Sequence, residues 1–172
     1  MATTTATRRT RAKIAPSIEL DTILTVAEAR AVYKALRILN AKLQHDDGTL
    51  FNSPSVAGTY FACKLGGLAA EAFAVAYLDT QNRVIDARIM FTGTVTQTPV
   101  HPREIVKAAL ELGASAAIVA HNHPSGSLAF SQADRNLTHA LKQALETIDV
   151  RLLDHILVAG GQTLSAAATG LI

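Results

Sequence analysis

Apolar and polar positions along the chain repeat with two different periods, and the change of period separates predicted helices from predicted strands. Between residues 25 and 43, apolar side chains recur every three or four positions, which is typical of an amphipathic helix. Thr25 and Glu28 match a capping box at its start. After a polar connector, a second helix is predicted to begin at Ser53, a capping residue type, and to end at Gly66–Gly67.

The middle of the chain changes to a two-residue period. In residues 71–91, larger and smaller apolar side chains alternate on both sides of a polar turn, which predicts a hairpin. The segment "HPREIVKAALELG" at residues 101–113 predicts a helix, with a proline in its first turn and a glycine at its end. The continuous apolar run "ASAAIVAH" at residues 114–121 predicts a buried strand.

The last part of the chain adds a helix and two strands. Apolar residues share one face of a predicted helix over residues 132–148, and two strands are predicted around Gly160–Gly161 in the segment "RLLDHILVAGGQTLSAA". The full order is helix–helix–strand–strand–helix–strand–helix–strand–strand. This order favours an α+β fold, an α/β sandwich with one mixed β-sheet flanked by helices.

Composition limits the classes of function. The chain has 172 residues, 49% of them hydrophobic, so we expect a packed domain rather than disorder. Cys63 is the single cysteine, which excludes an intrachain disulfide and a cysteine-built zinc site, and we interpret it as a packing residue. The single cysteine favours a reduced, cytoplasmic setting. No membrane partner is expected, because no apolar stretch is long enough to span a bilayer.

The positive charge is concentrated at the amino terminus. Arg8, Arg9, Arg11 and Lys13 belong to a segment of thirteen residues without an acid. Without these four of the 16 basic residues, 12 basic and 14 acidic residues remain, a net charge of −2 for residues 14–172. The rest of the chain therefore has no excess charge with which to follow a phosphate backbone, and any nucleic-acid affinity is expected in this tail.

Residues 121–134, "HNHPSGSLAFSQAD", carry the candidate chemistry. His121 and His123 are two positions apart at the end of a predicted strand, so both imidazoles project to one face, and Pro124 ends the strand. Such a pair suits a divalent transition metal, most commonly zinc. Asp134 lies on the buried stripe of the next helix, where a carboxylate needs a cationic partner and could be a third ligand.

The same residues also have simpler interpretations. Ser131 and Asp134 match a capping box, which by itself explains both residues. A histidine near a strand end is more often structural or solvated, and His-x-His pairs also occur in barrel hydrolases, although 172 residues are too few for an eight-stranded barrel. The letters "HNH" do not indicate the nuclease of that name, whose residues are spread over a hairpin and a helix. Residue chemistry alone leaves both interpretations open.

The spacing His-x-His-Pro, seven residues, Ser-x-x-Asp resembles the signature of the JAMM (MPN+) metalloproteases, and "HNHPSG" is similar to their RadC branch. The segments "EAFAVAYLDTQNRVIDARIMFTGTV", "VHPREIVKAAL" and "LLDHILVAGG" extend the resemblance over residues 53–165. It implies a JAB/MPN fold with cytidine-deaminase-like layering. The expected organisation is a flexible basic tail at residues 1–20, a helix and connector at 21–52, and a RadC-like JAB/MPN domain at 53–172.

The resemblance also implies the site residues and the reaction. His121, His123 and Asp134 match the zinc ligands of the family, with one Zn²⁺ per chain. Glu71 matches the catalytic glutamate, which composition alone would not separate from a polar strand end, and Ser131 matches the serine that stabilises the oxyanion. The implied reaction is hydrolysis of a peptide or isopeptide bond in a peptide or protein substrate by a zinc-bound water that the glutamate activates.

Two other functions are considered: a DNA-repair-associated or DNA-binding RadC-like protein, and a non-catalytic MPN scaffold. Full-length RadC-like proteins carry a helix-hairpin-helix region, whose glycine-containing pattern is not found in residues 1–52, and this departure weakens a DNA-repair role. The complete ligand set together with Glu71 counts against a scaffold.

The remaining histidines, and Asp154 beside one of them, are interpreted as residues without a catalytic role. Asp154 and His155 interrupt an apolar strand and are predicted to be a satisfied core pair, with a second shell or a substrate contact as the alternative. His101 is assigned to a helix start, and His45 and His139 to solvated surfaces.

Overall fold

The computed structural model describes residues 53–93 and 99–172, together with Phe51 and nine positions between 25 and 38. The predicted basic tail and His45 lie outside the described residues, as does most of the connector. Within the predicted first helix, every described position from 27 to 38 is helical. The predicted capping box is present, because the N–H of Thr25 donates to Glu28 Oε2 at 2.8 Å and the N–H of Glu28 donates to Thr25 Oγ1 at 3.4 Å.

The order of helices and strands from residue 53 onward agrees with the prediction in the described part of the chain. None of the described helices has the length and apolar character needed to cross a membrane. The helices are α1 (Pro54–Leu65), α2 (Pro102–Leu112) and α3 (Gln132–Glu146), and the strands are β1 (Ala72–Leu78), β2 (Val84–Thr92), β3 (Ala116–Asn122), β4 (Arg151–Ala159) and β5 (Gln162–Ser165).

Local sequence explains where the helices begin and end. The Ser53 side chain accepts a hydrogen bond from the N–H of Val56 at 3.3 Å, which satisfies one of the free donors at the start of α1. Helix α2 begins at Pro102, whose missing N–H has no cost in a first turn. It ends at Gly113, whose φ of 62° is in the left-handed region that favours glycine.

The described strands form one mixed sheet in the order β2-β1-β3-β4-β5. Strands β3 and β4 are parallel, and the other neighbouring pairs are antiparallel. Helix α1 packs on one face of the sheet, and helices α2 and α3 pack on the other. The predicted α/β sandwich around a mixed sheet is therefore confirmed.

The alternation of large and small residues in β1 separates two cores, because both faces of this strand are buried. Phe73, Val75 and Tyr77 point towards α2 and α3. The alanines between them point towards α1. A central strand covered by helices on both sides has no solvent face, so its two-residue period reflects side-chain size rather than polarity.

The sheet topology brings the amino end of β1, the carboxyl end of β3 and the carboxyl half of β4 together, although these strands are far apart in the sequence. Phe73, near the amino end of β1, pairs with His121, near the carboxyl end of β3. On the other side of β3, His121 pairs with Leu157 of β4. The amino end of α3 lies over this sheet edge, because its residue Asp134 is within 3.3 Å of His121.

Candidate metal centre

Three side chains converge at the carboxyl end of β3. His121 is the second-last residue of the strand, His123 follows its end, and Asp134 is in the first turn of α3. One potential ligand atom from each residue lies within 4.8 Å of the other two. His121 is buried and the other two are half-buried. The structure thus brings the predicted His–His–Asp set into one cluster.

The distances and the donor types of this cluster fit a zinc ion. His121 Nε2 lies 3.1 Å from His123 Nε2 and 3.3 Å from Asp134 Oδ1, and His123 Nε2 lies 3.6 Å from Asp134 Oδ2. Tetrahedral ligands that are each about 2.0–2.1 Å from a zinc ion are about 3.3 Å from one another. Calcium and magnesium prefer oxygen ligands alone, whereas two imidazoles and one carboxylate are an ordinary zinc set that leaves a fourth position open.

The turn after β3 sets the orientation of His123. Its backbone N–H donates to the carbonyl of Val158 at 2.9 Å, and its Nδ1 lies 2.9 Å from the carbonyl of Ser127. Because a carbonyl oxygen only accepts, Nδ1 carries the hydrogen and the Nε2 lone pair points into the cluster. This is the tautomer that a metal-binding imidazole needs.

The two carboxylate oxygens of Asp134 have different partners. Oδ2 accepts from the N–H of Ser131 at 2.7 Å and from its hydroxyl at 2.6 Å, which together with the Asp134 N–H to Ser131 Oγ bond of 3.1 Å forms the predicted capping box. Oδ1 faces His121 Nε2 at 3.3 Å. Capping and a position in the cluster are therefore compatible, because the capping box uses only Oδ2, which lies 3.6 Å from His123 Nε2, while Oδ1 faces His121.

The surroundings of Asp134 favour its ionised form. Burial by itself raises the pKa of this carboxyl group. The neighbouring imidazole of His121, followed by the hydrogen bonds from Ser131, outweighs that effect and lowers the pKa of Asp134 well below its ordinary value. The cluster therefore includes a negative charge at neutral pH.

Ser131 is at the exposed N-cap of α3. Its hydroxyl donates to Asp134 Oδ2, with 2.6 Å between the two oxygen atoms. A hydroxyl has a single hydrogen, so Ser131 would have to rotate away from Asp134 before it could donate to an oxyanion. The structure therefore gives Ser131 a capping contact next to the cluster.

Glu71 is half-buried and immediately precedes β1. Its carbonyl accepts from the N–H of Gly93 at 2.9 Å, which holds it at the sheet edge. Phe73 is paired directly with His121, and side chains two residues apart on a strand share a face. Glu71, two residues before Phe73, therefore lies at the same edge of the sheet as the histidines.

Asn122 is a buried polar residue between the two histidines, and the sequence did not predict its role. Its Oδ1 accepts from the N–H of Ala72 at 2.8 Å, and its Nδ2 lies 3.3 Å from the carbonyl of Leu68 and 3.1 Å from that of Ala70. One side chain therefore links both sides of Glu71 to the end of β3. A polar residue within a predicted buried strand was the available signal, because buried polar groups need partners.

Replacing Asn122 with alanine is expected to lower the free energy of unfolding by about 1–3 kcal/mol, because the buried N–H of Ala72 would lose its acceptor. Urea-induced unfolding followed by circular dichroism measures this change. Asn136→Ala is the matched control, since Asn136 is exposed on α3 and an exposed substitution changes stability by about 0.5 kcal/mol or less. Equal stability of the two variants would contradict a linking role for Asn122.

Asp154 and His155 are both buried and hydrogen-bonded, as predicted for a satisfied pair, but their side chains point to opposite faces of β4. Asp154 accepts from the backbone N–H groups of His155 and Ala167 and from the Ser165 hydroxyl at 2.6–2.9 Å, so it holds the segment after β5. The His155 ring instead contacts His121, with 2.8 Å between His155 Nε2 and His121 Nδ1. Burial lowers the pKa of His155 well below its ordinary value.

Three other sequence interpretations concern residues outside the cluster. His101 is the N-cap residue of α2, and His139 is exposed on α3, as predicted for both. Cys63 lies half-buried within α1.

Comparison with known proteins identifies relatives along most of the chain. The RadC-like JAB domain family model matches residues 51–171. The chain is 44% identical to UPF0758 protein YkfG of Escherichia coli (strain K12) over 149 residues, which are 87% of this chain and 94% of that protein.

Two further relatives give similar values. The chain is 42% identical to UPF0758 protein YeeS of the same strain, over 87% of this chain and 100% of that protein. It is 50% identical to UPF0758 protein HEAR2468 of Herminiimonas arsenicoxydans, over 84% of this chain and 64% of that protein. The chain therefore belongs to the RadC-like JAB domain family.

Proposed function

We propose that this chain is a zinc-dependent hydrolase of the JAMM type that cleaves a peptide or isopeptide bond in a peptide or protein substrate. The observation that carries the proposal is the convergence of His121, His123 and Asp134 within 4.8 Å, at the sheet edge that also includes Glu71. Membership in the RadC-like JAB family is compatible with a metal-dependent hydrolase.

The zinc ligands in this proposal are His121 Nε2, His123 Nε2 and Asp134 Oδ1. Oδ1 is chosen because Ser131 already donates two hydrogen bonds to Oδ2. A bound zinc ion supplies Lewis acidity, which lowers the pKa of a coordinated water towards about 7 and polarises a carbonyl group. Three protein ligands would leave such an ion able to take one further ligand, a water molecule.

Glu71 is the proposed general base. Its carboxylate accepts a proton from the attacking water and then donates it to the leaving amine, so that the bond is cleaved without net change in the protonation of the enzyme. Its position two residues before Phe73, the strand partner of His121, supports this role. Ser131, after rotating away from Asp134, donates its hydroxyl hydrogen to the developing oxyanion.

The proposal is tested by metal content and stability together. Protein purified without chelator is expected to contain about one zinc per chain, and removing the metal should lower the free energy of unfolding. Restoring zinc at about 100 times its dissociation constant should raise that energy by about 2.7 kcal/mol, because the ion binds the folded state. Elemental analysis and urea-induced unfolding measure the two quantities.

The matched variants for this test are His121→Ala and His139→Ala. His139 is exposed on the same helix as Asp134, and its substitution should leave the zinc content and the zinc-dependent stability unchanged. His121→Ala should lose both. If His121→Ala kept a full zinc complement, the proposed ligand set would be wrong.

A further inference from the structure

A buried chain of hydrogen bonds leads from the backbone of α3 to the ring of His121. Thr138 Oγ1 lies 2.6 Å from the Asp134 carbonyl oxygen and 2.6 Å from His155 Nδ1. At the other side of that ring, His155 Nε2 lies 2.8 Å from His121 Nδ1. The exposed fraction is 1% for Thr138 and 0% for His155, so these groups have each other as partners rather than bulk water.

One carbonyl group determines the direction of these hydrogen bonds. The Asp134 carbonyl only accepts, so the single hydroxyl hydrogen of Thr138 is donated to it. The Thr138 oxygen must then accept from His155, which assigns the hydrogen of that ring to Nδ1.

The same accounting of hydrogen-bond donors and acceptors also assigns the ring hydrogen of His121. A second hydrogen on His155 would create a charge in an enclosed ring whose hydrogen-bond partners are a hydroxyl and another imidazole, which is unfavourable. His155 Nε2 therefore has a lone pair and accepts a hydrogen bond from His121 Nδ1. With its hydrogen on Nδ1, His121 has its own lone pair on Nε2, the atom that faces His123 and Asp134.

We propose that Thr138 and His155 are positioning residues that hold His121 in the metal-binding tautomer, with hydrogen on Nδ1 and the lone pair on Nε2. This inference rests on the proposed zinc function. A metal-binding histidine usually donates its other N–H to a carboxylate, a backbone carbonyl or water. In this protein the acceptor is a neutral imidazole, which can accept only because a hydroxyl holds its hydrogen on the opposite nitrogen.

Packing fixes the orientation of the His155 ring. Ring centroids of Phe130, Phe73 and His121 lie 5.2, 5.6 and 4.8 Å from it. The backbone N–H of His155 also donates to the buried carboxylate of Asp154 at 2.8 Å. Because the ring is held on several sides, a change of tautomer cannot be relieved by moving the ring into solvent. With the ring fixed in place, the hydrogen bond to the Thr138 hydroxyl decides which ring nitrogen of His155 carries the hydrogen.

Thr138→Val and Thr138→Ser form the matched pair of variants that tests this inference in the full chain. Valine has nearly the shape of threonine but lacks the hydroxyl, whereas serine retains it. Thr138→Val is expected to raise the zinc dissociation constant by about 10–100-fold, the usual effect of losing an outer partner of a metal ligand. Thr138→Ser should remain within about threefold of the wild type. Competition with a chromophoric chelator measures both constants.

Nitrogen-15 NMR of the histidine rings in metal-free protein gives a readout that a loss of packing would not produce. The wild type and Thr138→Ser should show the His121 hydrogen on Nδ1. Thr138→Val should show a mixture of tautomers for His155 and His121.

A second pair of variants tests the inference if Thr138→Val fails to fold. The side chain of His155→Gln offers hydrogen-bond donors and an acceptor, and that of His155→Leu offers neither. His155→Gln should therefore retain zinc better than His155→Leu.

The outcomes separate this inference from the proposed function. Tight zinc binding by Thr138→Val, with the His121 hydrogen still on Nδ1, would overturn the positioning role and leave the zinc function intact. A wild-type protein that binds no zinc would overturn both. Weaker zinc binding by Thr138→Val with an unchanged tautomer would also overturn the inference, because the effect would then arise from packing. Support requires the affinity and the tautomer to change together.

Discussion

Glu71→Gln is expected to lower the rate of hydrolysis by about two to four orders of magnitude, the usual scale for losing a general base. Glutamine has nearly the shape of glutamate, but its amide cannot accept the proton of the attacking water. Glu71 lies outside the cluster of three candidate ligands, so the variant should keep about one zinc per chain and the wild-type unfolding curve. Steady-state cleavage, elemental analysis and urea-induced unfolding on the same preparation measure the three quantities.

The companion variant for this prediction is His121→Ala, which should lose zinc and activity together. The comparison separates a base, which acts on the proton, from a ligand, which holds the metal. It also separates an enzyme from a scaffold, because a scaffold would bind zinc in both the wild type and Glu71→Gln and cleave nothing in either. A substrate that wild type and Glu71→Gln cleave equally fast would remove Glu71 from the mechanism.

Asp134→Asn is expected to weaken zinc binding by more than the roughly 10–100-fold that follows the loss of an outer partner, because it removes an anionic ligand. The amide oxygen of asparagine can still accept from Ser131, so most of the helix capping should remain. Chelator competition and urea-induced unfolding of the metal-free protein measure the two effects. The metal-free variant should unfold within about 1 kcal/mol of the wild type.

The contrasting variant is Ser131→Ala, which removes the N-cap hydroxyl and leaves Asp134 in place. It should lower the free energy of unfolding by about 0.5–2 kcal/mol and retain zinc. The two variants thus divide capping from metal binding at neighbouring positions. If Asp134→Asn retained zinc as tightly as the wild type and lost only stability, Asp134 would be a cap and not a ligand.

The local sequence was sufficient to predict where the helices and strands occur. Ser53 and Gly113 act within a few residues of their own positions, so a capping side chain and a left-handed glycine could be located without knowledge of the fold. The hairpin of β1 and β2 also depends on neighbouring residues. The mixed sheet could be predicted from the order of these elements. The burial of both faces of β1 could not be predicted, because the alternation of large and small side chains does not show which helix covers each face.

The candidate site was predictable only where its residues are near one another in the sequence. His121 and His123 share a face because side chains alternate along a strand, and their spacing from Asp134 carries the resemblance to the JAMM signature. The sequence left the capping and ligand interpretations of Asp134 as alternatives. The structure makes them compatible, since Ser131 bonds to Oδ2 while Oδ1 faces His121.

The amino-acid sequence by itself determined the order and approximate positions of the elements, the direction of the two histidines and the resemblance to a family. Only the tertiary structure decided which side chains surround the two histidines. His155 reaches His121 from 34 residues away, and Asn122 reaches Ala72 from 50 residues away. Both contacts depend on β3 lying between β1 and β4 in one particular register. Strand order and register arise from packing of the whole sheet, and no local pattern of residues specifies them.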